Sequence, residues 1–327
     1  MKSSFKFLLS LAAVGICASA AAQTYPNKIV SLMVPYPPGG VSDVIARRVN
    51  EPLGKLLGQT VIVENLGGAA GSIAAQKVLN APADGYYLFQ GSPNELILAP
   101  LAIGSVKYKP EDFRVIHNIG VSPIAVFARK DLPAANGDEL AAYIVKRSKE
   151  GKPVTYASVG HGSFYHLLGE QMAADLGAEM THVPYKGGGP IVVDMLGGQI
   201  DIFISPYGAP QLELEKTGKL KIVMAASPAR QRAIMHIPSA GESKAFKNFS
   251  YSIGTGYYVK KDTPEAVVQV LHKAITQVLN EPELRNTLIS QGGDMSPIVS
   301  LSASSAEYTK EIATYRTIAK SIKLEPQ

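Results

Sequence analysis

The 327-residue sequence has one cysteine, Cys17, and no tryptophan. A single thiol excludes an internal disulfide framework. Charged residues are scarce, at 18% against 46% apolar, which excludes a disordered or solvating chain. A formal net charge of +5 on this length does not mark a nucleic-acid binder. Long apolar runs are missing too. The run Phe7–Cys17 is well short of the ~20 residues that span a bilayer, and no other stretch qualifies. There is no G-x-S-x-G turn, and Gly160-His161-Gly162-Ser163 resembles one only loosely. There is no H-E-x-x-H, phosphate-binding loop or dinucleotide fingerprint. The histidines at 117, 161, 166, 182, 236 and 272 show no zinc-ligand spacing. These absences point away from an enzyme, a metal or a cofactor. Scattered Asp and Glu leave acid–base catalysis open.

What is present begins at the N-terminus. Lys2 and Lys6 precede the apolar run, and Ala18-Ser19-Ala20-Ala21-Ala22 follows it. This is a secretory signal over residues 1–22, cut after Ala22 with Ala20 as the alternative. Ile16 before Cys17 is too bulky for a lipid-attachment site. Losing Lys2 and Lys6 lowers the charge from +5 to +3 and removes the only thiol. The mature chain is expected to be exported and not membrane-embedded.

Short β-branched runs alternate with segments of helical spacing. Strands are expected at 28–34, 61–63, 86–89, 153–158, 180–183, 200–204, 220–226 and 253–259. Helices are expected at 43–57, 71–79, 94–101, 138–149, 163–176, 189–197, 208–217, 264–279, 281–291 and 303–322. Pro52 should kink or end the first helix. Residues 113–129 form one long extended stretch. Such alternation means an α/β fold with mostly parallel sheets. The units fall into two groups: residues 23–122 plus 246–327 form lobe 1, and 123–245 form lobe 2. Crossings near 121–126 and 244–254 act as hinges beside a ligand cleft.

Four loops place small residues between a strand and a helix. They are Val34-Pro35-Tyr36-Pro37-Pro38-Gly39-Gly40, Gly67-Gly68-Ala69-Ala70-Gly71-Ser72, Ser158-Val159-Gly160-His161-Gly162-Ser163 and Val183-Pro184-Tyr185-Lys186-Gly187-Gly188-Gly189. Any one of them can be a tight turn. Four of them, each at a strand C-terminus, point to an anion held by helix N-termini.

These same segments carry a resemblance. YPNKIVSLMVPYPPGGVSDVIARRV, VIVENLGGAAGSIAAQKVLNAPADGYYL, YASVGHGSFYHLLGEQMA, THVPYKGGGPIVVDMLGGQIDIFI and GKLKIVMAASPARQR match in order and spacing the Bug/TctC solute-binding receptors of tripartite tricarboxylate transporters. The resemblance covers almost the whole mature chain. It implies a periplasmic, monomeric receptor with the type II periplasmic-binding-protein (Venus-flytrap) fold, two lobes around a central cleft. It implies a small carboxylate ligand, such as a dicarboxylate, tricarboxylate, acidic amino acid or aromatic acid. The partners would be membrane permease subunits; a sensor kinase is the alternative partner.

By resemblance, the cleft residues are Tyr36, Gly39, Gly40, Asp43, Ala69, Ala70, Ser92 and Asn94 from the first lobe. The second lobe supplies Ser158, His161, Gly162, Ser163, Tyr185, Gly187, Gly188 and Ser205. Tyr36, Tyr185, Asn94 and His161 would set specificity. Asp43 either caps its helix or orients a water or amino group, and Ser42 is an N-cap candidate. Lys186 either meets the ligand or is solvated. His166 is expected to pack within its helix, and Arg47 and Arg48 to point away from the cleft. Three positions depart from the family pattern: Ala70 replaces a usual Gly, Ser205 a frequent Asp, and Tyr251-Ser252-Ile253 lacks a common Trp.

Overall fold

The structure, a computed structural model, describes residues 25–290, 294–321 and 326. The signal segment 1–22 lies outside the described residues. The elements run β1 (Val30–Val34), α1 (Val41–Leu57), β2 (Val61–Asn65), α2 (Ser72–Asn80), β3 (Tyr87–Gly91), α3 (Ala99–Ala102) and β4 (Phe113–Arg129). Next come α4 (Gly137–Lys149), β5 (Val154–Ser158), α5 (Phe164–Leu176), β6 (Met180–Pro184), α6 (Gly188–Leu196), β7 (Ile202–Pro206), α7 (Ala209–Lys216) and β8 (Leu220–Ala225). The chain closes with β9 (Ser252–Lys260), α8 (Glu265–Leu279), α9 (Pro282–Ser290), β10 (Asp294–Met295) and α10 (Leu301–Ser321).

One strand organises the sheets. β4 is 17 residues long, about 55 Å at the usual rise per residue. Up to Pro123 it pairs antiparallel with β9, and β10 joins it at Gly120 and Val121. From Ile124 onward it pairs with β7 and β8 instead. The first half-sheet is completed by β1, parallel to both β2 and β3, with β9 beside β3. In the second, β5 is parallel to β6 and β7. Beside the changeover, Ala226 N–H donates to Ile124 O (2.8 Å) and Tyr251 N–H donates to Ala226 O (2.9 Å).

Central strands are buried on both faces, which is why they read as unbroken apolar runs. On one face Val30, Leu32 and Val34 pack with Ala46, Val49 and Leu53 of α1 and Leu271 and Ile275 of α8. On the other, Met33 and Phe89 pack with Ala74, Ala75 and Val78 of α2.

Three local expectations change. α1 starts at Val41 with Gly40 as its N-cap, so Ser42 lies inside the first turn. The helix also runs through Pro52 to Leu57. Pro52 cannot donate to the Arg48 carbonyl, but Arg48 is exposed, so that carbonyl can turn to water. Further on, residues 94–98 wind as a π-helix before α3 rather than as one α-helix over 94–101.

Replacing Pro52 by Ala restores the missing helix hydrogen bond. We expect Pro52→Ala to raise stability by about 1–3 kcal/mol, read by urea unfolding. A loss of stability would mean that the packing of the ring outweighs the backbone gain.

Candidate functional site

The C-terminal ends of β1, β5, β6 and β7 meet at one cavity of about 60 Å³. Tyr36, Gly40, Val41 and Ser42 line it from the first half. Val159, Tyr165, Gly188, Phe203, Ser205, Pro206 and Gln211 line it from the second. The first turns of α1, α5, α6 and α7 all reach the cavity, through Val41, Tyr165, Gly188 and Gln211. Each first turn carries N–H groups without intrahelical partners and the positive end of a helix dipole. None of the lining residues is charged. An anion here is favoured by backbone dipoles without a Lys or Arg.

The two halves touch through backbone and small side chains. Asn94 Oδ1 accepts from Phe164 N–H, the first residue of α5, at 2.7 Å across the interface. A Cβ on Gly187 would sit 2.3 Å from Pro37 Cδ, and one on Gly67 2.7 Å from Lys186 O. A Cβ on Gly162 would lie 2.0 Å from Ala102 Cβ, and one on Gly160 2.7 Å from Ala70 N. Ala69 and Ala70 both adopt positive φ, 47° and 52°. Such a conformation strains a residue with a Cβ, and it serves here to bring the Ala70 backbone against Gly160.

Behind the cavity lies a buried polar relay. Glu95 is 1% exposed and accepts from Ser92 N–H and Ser92 Oγ, both at 2.8 Å, and from Tyr36 OH at 3.1 Å. Asn94 Nδ2 donates to the same tyrosine hydroxyl at 3.3 Å. Burial pushes the Glu95 carboxyl up to about 7, against the pull of these hydrogen bonds. Sequence reasoning missed Glu95. Ser92 and Asn94, which the sequence leaves between ligand donors and a helix start, both hydrogen-bond within this relay, and Asn94 also bonds to the opposite lobe.

Asp43 serves its own helix. It accepts from Gly39 N–H (2.9 Å), Arg47 Nε (3.0 Å) and Asn65 Nδ2 (3.0 Å). Burial opposes its charge, but hydrogen bonds from Arg47, Gly39 and Asn65 outweigh this and hold the carboxyl below its ordinary value. These bonds fix the Gly39 turn just before α1. Asp43 also turns Arg47 away from the cavity, and Arg48 is exposed.

The other expected residues fall into three places. Tyr36, Gly40, Gly188 and Ser205 line the cavity. Ala69, His161 and Tyr185 line a separate outer groove with Lys186. Tyr185 OH is tied to Asp194 at 2.5 Å, and Lys186 is exposed. Ser158, Gly162 and Ser163 build the loop before α5. Ser163 caps that helix by accepting from His166 N–H, and Ser158 Oγ donates to Gly160 O. Val159 lies in the expected 158–163 loop, whereas sequence reasoning missed Tyr165, Phe203, Pro206 and Gln211. The rule that singled out the other loops, a strand end leading into a helix, also covers the β7–α7 junction. That junction lacks a glycine cluster.

His161, His166 and His182 each bring a nitrogen within 4.8 Å of the other two. Their arrangement is a stack. His166 and His182 lie 4.0 Å apart with 24° between planes, His161 lies 4.5 Å from His166, and Tyr156 lies 5.0 Å beyond His182. Imidazole lone pairs lie in the ring plane, so His166 and His182, 24° from parallel, do not aim at a shared metal; His161 is tilted 45° from His166. Moreover, His166 Nδ1 accepts from Gly162 N–H (3.1 Å), and His182 Nε2 is hydrogen-bonded to Ser158 Oγ (2.7 Å). The column therefore props the 158–163 loop, and His166 packs as its place in the helix suggested. Burial lowers His166 to about 4 and His182 to about 3, with neighbouring imidazoles adding to both shifts.

A two-lobed α/β fold with an uncharged, helix-capped cavity between its halves defines a solute-binding protein of the periplasmic kind rather than an enzyme. The chain belongs to the tripartite tricarboxylate transporter family receptors, whose family model matches residues 45–323. A UPF0065 protein from the ttuE–ttuC' intergenic region of Agrobacterium vitis is 33% identical, covering 89% of this chain and 83% of its own. The periplasmic binding protein BugD superposes with a TM-score of 0.85 at 29% identity, over 93% of this chain and all of that one. MatC from Rhodopseudomonas palustris, solved with malate, gives 0.82 at 25% identity, over 90% and 99%. A second R. palustris protein, solved with adipate, gives 0.85 at 26%, over 93% and 100%.

Two predictions follow from the geometry. Gly187 has an extended backbone open to any residue, so Gly187→Ala should leave the fold intact and obstruct only the contact with Pro37. Gly188→Ala, whose Cβ meets nothing closer than 3.9 Å, should not. Small-angle scattering should show a larger radius for Gly187→Ala than for wild type and Gly188→Ala. Equal radii would contradict the contact. The second concerns pH. The neutral His166 and His182 give stability that is complete above pH 6.5 and lost as pH falls through about 4 and 3. Glu95 acts oppositely: its raised value costs stability as pH climbs from 4.5 through about 7. Glu95→Gln should match wild type at pH 4 and exceed it at pH 8 in thermal midpoint. A difference independent of pH would refute the buried-charge account.

Proposed function

We propose that the mature chain is a periplasmic receptor that captures a small dicarboxylate between its lobes and delivers it to a tripartite tricarboxylate-type permease. The observation that carries this is the uncharged cavity ringed by four helix first turns from both halves. Two R. palustris relatives were solved with malate and adipate, both small dicarboxylates, which supports that ligand class. Lobe 1 comprises residues 23–122 plus 246–327, and lobe 2 residues 123–245. They hinge where β4 changes partners and where the chain returns near 244–254. Ligand favours the closed form through contacts available only when both lobes meet. Tyr36, Gly40, Gly188 and Ser205 contact the ligand, while the remaining expected residues shape the loops that carry them.

The test uses residues 23–327, unfolded, dialysed and refolded to strip any bound solute. Succinate, malate, glutarate and adipate are compared with citrate, benzoate and phosphate by thermal shift and calorimetry. A C4–C6 dicarboxylate at 100 times its Kd should add about 2.7 kcal/mol and raise the midpoint by about 5 °C. Absence of any response to the dicarboxylates, or a response to phosphate alone, would overturn the reading.

A further inference from the structure

Gln211 lines the cavity from the first turn of α7 and is 5% exposed. The two ends of its amide lie in different surroundings. Oε1 is enclosed, with no hydrogen-bond partner among the described residues. It lies on the side of the β7–α7 turn, 3.8 Å from where a Cβ on Gly208 would stand. Nε2 is the end that keeps access to solvent, and no hydrogen bond engages it among the described residues. The amide therefore turns its N–H donors, and not its oxygen, toward the cavity.

The other polar side chains of the lining are placed differently. Tyr36 OH donates to Glu95 (3.1 Å) and Ser205 Oγ donates to Pro206 O (2.6 Å), so each has spent its one hydrogen. Ser42 is only half-buried. A solute that fills the cavity displaces the solvent at Gln211 Nε2, and a donor buried without an acceptor costs free energy. The solute must therefore bring an acceptor to that point. A carboxylate oxygen only accepts, and an N–H bond to it is charge-assisted. An ammonium only donates and leaves Nε2 unpaired. The amide is neutral, so it adds a side-chain donor to the helix N–H groups without adding a cation to the lining.

We propose that Gln211 is a specificity-determining residue whose Nε2 donates directly to a carboxylate oxygen of the bound solute. This rests on the dicarboxylate reading above. A site with a buried donor discriminates against a solute that brings no acceptor to it, because the donor is then left unpaired.

The test measures succinate, L-malate and adipate on the refolded mature chain by calorimetry, and carries the tightest of the three to the variants at pH 8. Gln211→Leu, of similar volume, should bind it at least tenfold more weakly than wild type. The same variant should keep or raise the ligand-free thermal midpoint, because it also removes the unpaired Oε1. Gln211→Glu keeps the shape but puts a carboxylate where the donor stood, and should bind more weakly still. Should the variants fail to fold, the wild type supplies a direct reading. A side-chain N–H proton of Gln211, followed by nitrogen-15 NMR, should move downfield as the acid is added. Binding within threefold of wild type in Gln211→Leu or Gln211→Glu overturns this inference alone and leaves the dicarboxylate reading standing. So does a Gln211 side-chain resonance that stays in place while the acid binds. No binding of any of the three acids to wild type overturns the dicarboxylate reading and this inference with it.

Discussion

The interlobe cavity gathers helix N-termini with no cation in its lining, and the seam between the lobes is built around that arrangement. Backbone dipoles are weak individually and fall off within the first helical turn, so several must reach one small volume. No single lobe supplies them all. α1 comes from one half, and α5, α6 and α7 from the other. The cavity is complete only when the halves meet at van der Waals distance. That requirement explains the residues at the seam. Gly160, Gly162 and Gly187 each sit where a Cβ would strike the opposite lobe. The Pro37–Pro38 turn supplies a rigid, N–H-free surface for the other side to close on.

The seam is also wired to the cavity wall. Glu95, Tyr36 and Asn94 form a connected set, and its last member pairs with the α5 N-terminus. The tyrosine ring lines the cavity while its hydroxyl faces the relay, so wall position and lobe contact share one side chain. A carboxyl buried in such a place raises its own proton affinity. Around neutral pH it therefore carries less than a full negative charge next to a site suited to anions. On the other lobe, uncharged imidazoles prop the loop that faces Ala70, and their neutrality likewise comes from burial.

Some of this was legible in the residues and some was not, for physical reasons. Strand and helix positions followed from apolar periodicity, which is local and strong. The Gly-rich loops followed from backbone freedom, also local. Pro52 was expected to kink or end α1, and the helix does not end there; the cost of a proline inside a helix depends on whether the orphaned carbonyl reaches water, and this depends on which face is exposed. For Ser92 and Asn94 the residues left a ligand donor and a helix start equally open, because the partners of a hydroxyl or amide beside a cleft are not visible locally. Those partners, Glu95 and Phe164, are respectively a neighbour in a π-helical turn and a residue 70 positions away. Gln211 went unnoticed because nothing in Ala209-Pro210-Gln211 distinguishes a helix start that reaches a cavity from one that faces solvent.

The family, the alternation of strands and helices, and the loops that border the cleft are legible in the residues alone. Each of these is written in short-range patterns of apolar, glycine and proline residues. Only the tertiary structure decided which polar groups are spent and which remain available. Hydrogen-bond capacity is settled between residues that are distant in the chain, and two lobes must come together before Asn94 is satisfied.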